Sequence, residues 1–474
     1  MTTHRASLST QMFYGSGSIA IGIKNNLLGT YLLIYYNQVL GLDAGIAALA
    51  MAIALIFDAV SDPLVGIWSD RVRSRWGRRH PFMYAAILPF AGSYYLLLSD
   101  PGDITDHGLF ARLLVLLVIL RISMTFYEVP RGALAPELSK DYDQRNALSA
   151  WAMAFGWLGG AGIAFIANRY FLDSFVDREG YQTLAFWGGL GIFVGSVVSC
   201  LGTHRNIPNL HAPEPRSANY LVFLREARET LANRSWLVLF FAGCIYALLV
   251  GLEQGVGTYY NEYLWQWKPE TIAPFAFFQA LAVIGAVALA HPIAKGRNKK
   301  HIAVGIFMFT IIVGPLPVFL RLLDLSFGLS LSPANGSDLL WWILLIHSAS
   351  MAALGALGFV FIGSMGMEIV EQAQQRTGRR EEGLLGTVNS FVHKLVGAGG
   401  VLVSGIIISI VGFDDPGVDR SVLYGGEAII QFGWIHVAIG FFLPIFSTLL
   451  VLLFDIDRDI HSSNLTDLGY DGKS

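Results

Sequence analysis

Asp58 and Asp62 stand four residues apart in the apolar segment FDAVSDPLVG. That spacing puts two carboxylates on one face of a helix, one turn apart. In a low dielectric they repel each other, which either raises the proton affinity of one or creates a site for a bound cation. Ser61 and Thr125 offer the neutral oxygens that Na+ wants, and protonation of one carboxylate serves H+ equally well. The alternative is a permanent pair of salt bridges from Lys394 and Arg121. Pro63 lies directly after the second aspartate, where the missing N–H frees a carbonyl as a further cation ligand or merely kinks the helix.

An ionised side chain in a bilayer costs at least about 2.5 to 3.5 kcal/mol, so every such group inside an apolar run is a functional candidate. Besides the two aspartates these are Lys24, Arg121, Glu128, Glu253 and Lys394. Arg121, Thr125 and Glu128 are spaced by four and three, forming one polar stripe that must look away from lipid. Glu253 and Gln254 precede a Gly-Thr-Tyr triplet by four and three residues, as Asn25 and Asn26 precede an earlier one. Four carboxylates against three cations leave one negative charge, which a single Na+ or H+ would neutralise as a site closes around a neutral solute.

The elements that hold these groups are membrane spans. The 474 residues are 54% hydrophobic and 14% charged, and the mean hydropathy is +0.53. That is too apolar for a water-soluble domain of this length. Windows of about 20 apolar residues predict twelve helices near 17–40, 45–68, 81–99, 109–131, 148–171, 183–203, 235–259, 271–293, 301–322, 338–366, 384–412 and 429–454. Lys and Arg crowd the connections after even-numbered spans, such as SDRVRSRWGRRHP, which puts both termini in the cytoplasm. Cys200 and Cys244 sit in apolar runs and read as small core residues. The first residues lack the pattern of a cleaved leader.

The Pro-, Asn- and Arg-rich connection 204–234 divides the spans six and six. The expected domains are a six-helix bundle over 1–203, a cytoplasmic linker over 204–234, a second bundle over 235–455 and a tail over 456–474. Gly29-Thr30-Tyr31 recurs as Gly257-Thr258-Tyr259, and the basic turn after the second span is echoed by HPIAKGRNKKH after the eighth. The expected fold is therefore an all-α membrane protein of two pseudo-symmetric six-helix bundles, with a central site between the repeats.

FDAVSDPLVGIWSDRVRSRWGRRHP, YEVPRGALAPELSKDYDQR and EGLLGTVNSFVHKLVGAGG occur in that order. Together they resemble the glycoside-pentoside-hexuronide:cation symporter family, the melibiose-permease branch of the major facilitator superfamily. The resemblance implies a cation site at Asp58, Asp62, Ser61 and Thr125, with Ser61 in place of a usual Asn. It implies that Glu128 replaces a sugar-binding Asp and that Lys394 links the cation and sugar sites. Asp70, Arg71, Arg78 and Arg79 match the superfamily's gating loop, and Glu368, Glu371 and Arg380 match a similar set in the second half, where solvated loop charges are the plainer reading. The galactoside pocket is changed: Gly22, Gly132 and Met153 stand at its Asp, Trp and Arg positions, and Leu55 replaces an Arg before the first aspartate. Lys24 and Arg121 suit an acidic sugar, or Arg121 substitutes for that missing arginine beside the aspartates.

The function expected is alternating-access symport of a small polar solute, a sugar, glycoside or sugar acid, driven by Na+ or H+. The candidate solute residues are Lys24, Asn25, Arg121, Glu128, Glu253, Gln254 and Lys394. A sodium-coupled lysolipid carrier of the same superfamily is the alternative. An enzyme is disfavoured, for the chain offers no nucleophile–base set and no His-rich metal motif; a non-transporting sensor would not need seven intramembrane charges. No cofactor and no nucleic-acid partner are expected, the inner membrane is the expected location, and the protein is expected to work as a monomer.

Overall fold

In a computed structural model, residues 7–139, 142–207, 233–377, 382–413 and 420–455 are described. Among these residues twelve helices follow one another. α1 starts at Leu8–Asn26 and runs on through a π-helical turn (Leu27–Tyr31), Leu32–Ile34 and a second π-helical turn (Tyr35–Val39). Then come α2 (Ala44–Arg71), α3 (His80–Leu98), α4 (Asp106–Leu138), α5 (Tyr142–Ile166, extended by π-helical Ala167–Phe171) and α6 (Arg178–His204). α7 (Arg234–Leu252) resumes as Val256–Tyr259 and Tyr260–Leu264. α8 (Pro269–Ala294), α9 (Lys299–Val313 with Leu316–Phe327), α10 (Asp338–Thr377), α11 (Glu382–Ile410) and α12 (Glu427–Leu452) complete the chain.

Among the described residues eleven of these helices are long and apolar enough to cross a membrane, and α1, which carries Lys24, is not one of the eleven. Their outward faces are apolar as lipid requires: Leu64, Leu88, Phe186 and Ile410 are all exposed. The helices outrun the expected spans and start on polar caps. Asp43 accepts from the Ile46 N–H at 2.8 Å to start α2, and Thr105 accepts from Gly108 to start α4.

α7 is not the unbroken helix its hydropathy suggests. Gly255 adopts φ +81°, a left-handed conformation that glycine alone enters without strain, and the helix restarts after it. The donors freed by the break find acceptors on α1: Gly255 N–H donates to Gly29 O at 2.9 Å, and Thr258 Oγ1 donates to Thr30 O at 2.7 Å. The two Gly-Thr-Tyr copies thus meet each other. Both tyrosines also donate to an asparagine, Tyr31 to Asn168 at 2.9 Å and Tyr259 to Asn37 at 2.6 Å.

The chain separates into two compact units. The first comprises α1–α6, residues 251–277 across the end of α7 and the start of α8, and 401–424 from within α11 onward. Inside it α1 lies against α5 along small residues: a Cβ at Gly159 would come within 2.4 Å of Ile19 O, so only glycine permits that approach. The second unit takes the remaining parts of α7, α8 and α11 with α9, α10 and α12. Its core is built from Trp236, Ala286, Ala303, Phe361, Met365 and Val451. Of the expected connections, 208–232 of the linker and the tail from 456 lie outside the described residues.

Candidate cation and solute site

α2 and α4 pack side by side within the first unit, and the stripe on each meets the other. Thr125 stands at the centre. Its Oγ1 lies 3.2 Å from Asp58 Oδ1, 3.0 Å from Asp62 Oδ1, 3.1 Å from the Arg121 carbonyl and 3.0 Å from Ser61 Oγ. Ser61 Oγ lies 3.2 Å from the Asp58 carbonyl. Pro63 leaves α2 continuous from Ala44 to Arg71, so the one-turn spacing of the carboxylates is kept.

Arg121 closes the cluster, with Nη1 at 3.4 Å from Asp58 Oδ2. Asp58 is 1% exposed and Arg121 9%, whereas Asp62 and Ser61 are half-buried. The cluster is reached from the side of Asp62. Glu128, one turn further along α4, is half-buried and makes no hydrogen bond among the described residues.

The other expected solute residues are spread over several helices. Lys24 is buried in α1 and Asn25 beside it is exposed. Glu253 is exposed and Gln254 half-buried at the break in α7. Lys394 is half-buried on α11, in the second unit.

At the Arg71 end of α2 the basic turn forms a second cluster with α4. Arg78 Nη2 pairs with Glu137 Oε1 at 2.7 Å, and Arg79 Nε with the same oxygen at 3.0 Å. Arg79 also pairs with Asp70 and donates to Ser69 Oγ at 2.7 Å. Arg71 is exposed at the last turn of α2. Glu137 was not among the expected gating residues. Its sequence signal is its place in PELSKDYDQR, but nothing local says that it faces arginines 58 and 59 positions earlier.

In the second unit Glu368 pairs with Lys299 at 2.7 Å. Glu371 is half-buried on α10, and Arg380 lies outside the described residues.

The pattern that defines the MFS/sugar transport protein family matches residues 13–458. The chain belongs to this family. As a member of the glycoside-pentoside-hexuronide:cation branch it is a multi-pass membrane symporter and not an enzyme. It is similar to an uncharacterized symporter of Synechocystis, with 33% identity over a stretch covering 42% of this chain and 36% of that relative. A putative glycoside/cation symporter of Escherichia coli is 24% identical over 86% of this chain and 84% of its own. The isoprimeverose transporter of Lactiplantibacillus pentosus is 24% identical over 97% and 91%. Among solved structures, the nucleoside transporter NupG matches with a TM-score of 0.59 at 11% identity, covering 94% of this chain and all of that one. The xylose transporter XylE from E. coli matches with a TM-score of 0.54 at 12% identity, over 96% and 97%. At such identities these neighbours speak for the fold alone, and that fold is the major facilitator fold.

Proposed function

We propose that this symporter carries a neutral sugar or glycoside, driven by one monovalent cation, Na+ or H+, held by Asp58, Asp62, Ser61 and Thr125. The observation that carries the reading is the company of the Thr125 hydroxyl. Four oxygens lie within 3.2 Å of it, and it has a single proton to give. Oxygens crowd this hydroxyl, and two carboxylates one turn apart repel each other, a strain that a bound monovalent cation relieves.

Arg121 bears on the solute. Its pairing with Asp58 supports the role of the helix 2 arginine that Leu55 replaces, and so a neutral solute over a sugar acid. The two relatives named for a glycoside and for isoprimeverose point to the same class. Glu128 then accepts from solute hydroxyls, with Lys24, Asn25, Glu253, Gln254 and Lys394 completing the solute site. The two six-helix halves alternate in opening it, cytoplasmic termini orient it in the inner membrane, and Asp70, Arg71, Arg78 and Arg79 gate it with Glu371 and Arg380.

The test is uptake of radiolabelled glycosides, pentoses and uronates into vesicles under imposed Na+ or H+ gradients. Accumulation of a neutral glycoside with one gradient, lost in Asp62→Asn, is the expected result. Accumulation that neither gradient drives, or that survives Asp62→Asn, removes the proposed site.

A further inference from the structure

Among the described residues four turns are π-helical, and all four belong to the first unit. They are Leu27–Tyr31 and Tyr35–Val39 in α1, Ala167–Phe171 closing α5 and Tyr260–Leu264 closing α7. A π-helical turn is rare and is frequently found at a functional site.

Side chains join these turns to one another. Tyr31 on the first donates to Asn168 on the third at 2.9 Å. Tyr263 on the fourth donates to Gln38 Oε1 on the second at 2.7 Å, and Tyr259, one residue before the fourth, donates to Asn37 Oδ1 at 2.6 Å. Gly255 N–H and Thr258 Oγ1 take the carbonyls of Gly29 and Thr30 on the first. α11 joins on the same side: Ser409 Oγ donates to Asp43 Oδ2 at 2.7 Å and Gln38 Nε2 to Phe413 O at 3.3 Å. Asn37, Gln38, Tyr259 and Tyr263 are all buried. These four bonds from α7 to α1 join neutral groups. A neutral bond gives way to water at small net cost, whereas a buried ion pair strands a charge when it parts. Such a set can therefore open and close.

It also stands where a gate is needed. α1 reaches it just after Lys24 and Asn25, and α7 just after Glu253 and Gln254, the residues proposed for the solute. The cluster of Arg78, Arg79 and Glu137 lies at the opposite end of α2, whose 28 residues span about 42 Å.

We propose that these π-helical turns form the outer gate of the transport path, shut in this structure, which opens when Tyr259 and Tyr263 leave Asn37 and Gln38. Gly255 is the pivot, because φ +81° is one of several conformations that a glycine reaches without strain. The proposal rests on the reading of the chain as an alternating-access symporter with cytoplasmic termini, and adds the gate which that reading leaves unassigned.

The experiment is labelling of a cysteine placed behind the gate, in the full chain carrying Cys200→Ser, Cys244→Ser and Asn25→Cys. A membrane-impermeant maleimide is added to intact cells that express it, and the rate of labelling is read. Tyr259→Phe with Tyr263→Phe should speed labelling about 10-fold, since two donors are lost from the shut form while the open form is hydrated either way. Tyr35→Phe, whose hydroxyl is bonded to the Ser99 carbonyl and not to α7, should leave the rate unchanged. Labelling needs neither solute nor gradient, so its failure and the failure of the proposed symport are read separately. Labelling at the parent rate in the double variant, equal acceleration in Tyr35→Phe, or acceleration only in inside-out vesicles would each overturn the proposal. If the double variant does not reach the membrane, an unchanged rate in Tyr263→Phe alone overturns it as well.

Discussion

α2 and α4 carry two acid–base clusters about 18 Å apart along α2, taking 1.5 Å per residue from Asp58 to Asp70. At one end of them two acids, Asp70 and Glu137, meet two arginines, Arg78 and Arg79. In the middle two acids, Asp58 and Asp62, share the Thr125 hydroxyl, with Arg121 on Asp58. The same pair of helices therefore holds one cluster fixed by guanidinium–carboxylate pairs and one gathered on a hydroxyl. Ion pairs make a clamp, because removing the shared acid leaves buried charge behind. A hydroxyl between two carboxylates suits a binding site, because it gives two repelling acids a single proton to share.

Glu137→Gln should have the largest effect. It takes the carboxylate from Arg78 and leaves Arg79 with Asp70 alone, and since both Arg79 and Glu137 are buried the loss should reach about 3 kcal/mol of stability, read as a lower melting midpoint with any cation-induced shift unchanged. Asp62→Asn should do the opposite: gradient-driven accumulation falls about 100-fold, while the cation-free protein melts no lower, since one of two repelling charges is gone. A large loss of stability in Asp62→Asn would erase the contrast between the clusters. Arg121→Gln sharpens it, because removing the guanidinium beside Asp58 should tighten coupling-cation binding about 10-fold, the worth of about 1.4 kcal/mol, in a titration followed by thermal shift. Lys299→Gln should cost under about 1 kcal/mol. Lys299 is a point charge whose side chain is 31% exposed, and its pair with Glu368 lacks the fork that Arg79 brings.

Periodicity and hydropathy made twelve helices legible because lipid demands unbroken apolar stretches whose backbone bonds are internal. Asp58, Ser61, Asp62 and Thr125 were legible as one group for the same reason: polar atoms in such stretches are few, and helical spacing sorts them by face. The interruption of α7 was less so, since Gly255 falls within an expected span, as do glycines that stay helical. What breaks the helix there is the acceptor offered by Gly29 O on α1.

Glu137 shows the same limit. As an acid near a helix end it reads as solvated, and only the packing of α3 against α4 turns it into the acceptor for two arginines. Arg131 stood in a quoted motif and passed as one more cytoplasmic charge. Its burial against Tyr14 and Ser18 depends on how α1, α4 and α6 come together.

By itself the sequence determined the membrane class, the number of helices, the acid pair and its oxygens, because these follow from spacing along one helix and from the cost of charge in lipid. The tertiary structure alone decided which charges pair. Arg121 goes to Asp58, Arg78 and Arg79 share Glu137, and Arg131 is left with neutral partners. A charge reaches only its neighbours in space, and along a folded chain of membrane helices those neighbours lie tens of residues away.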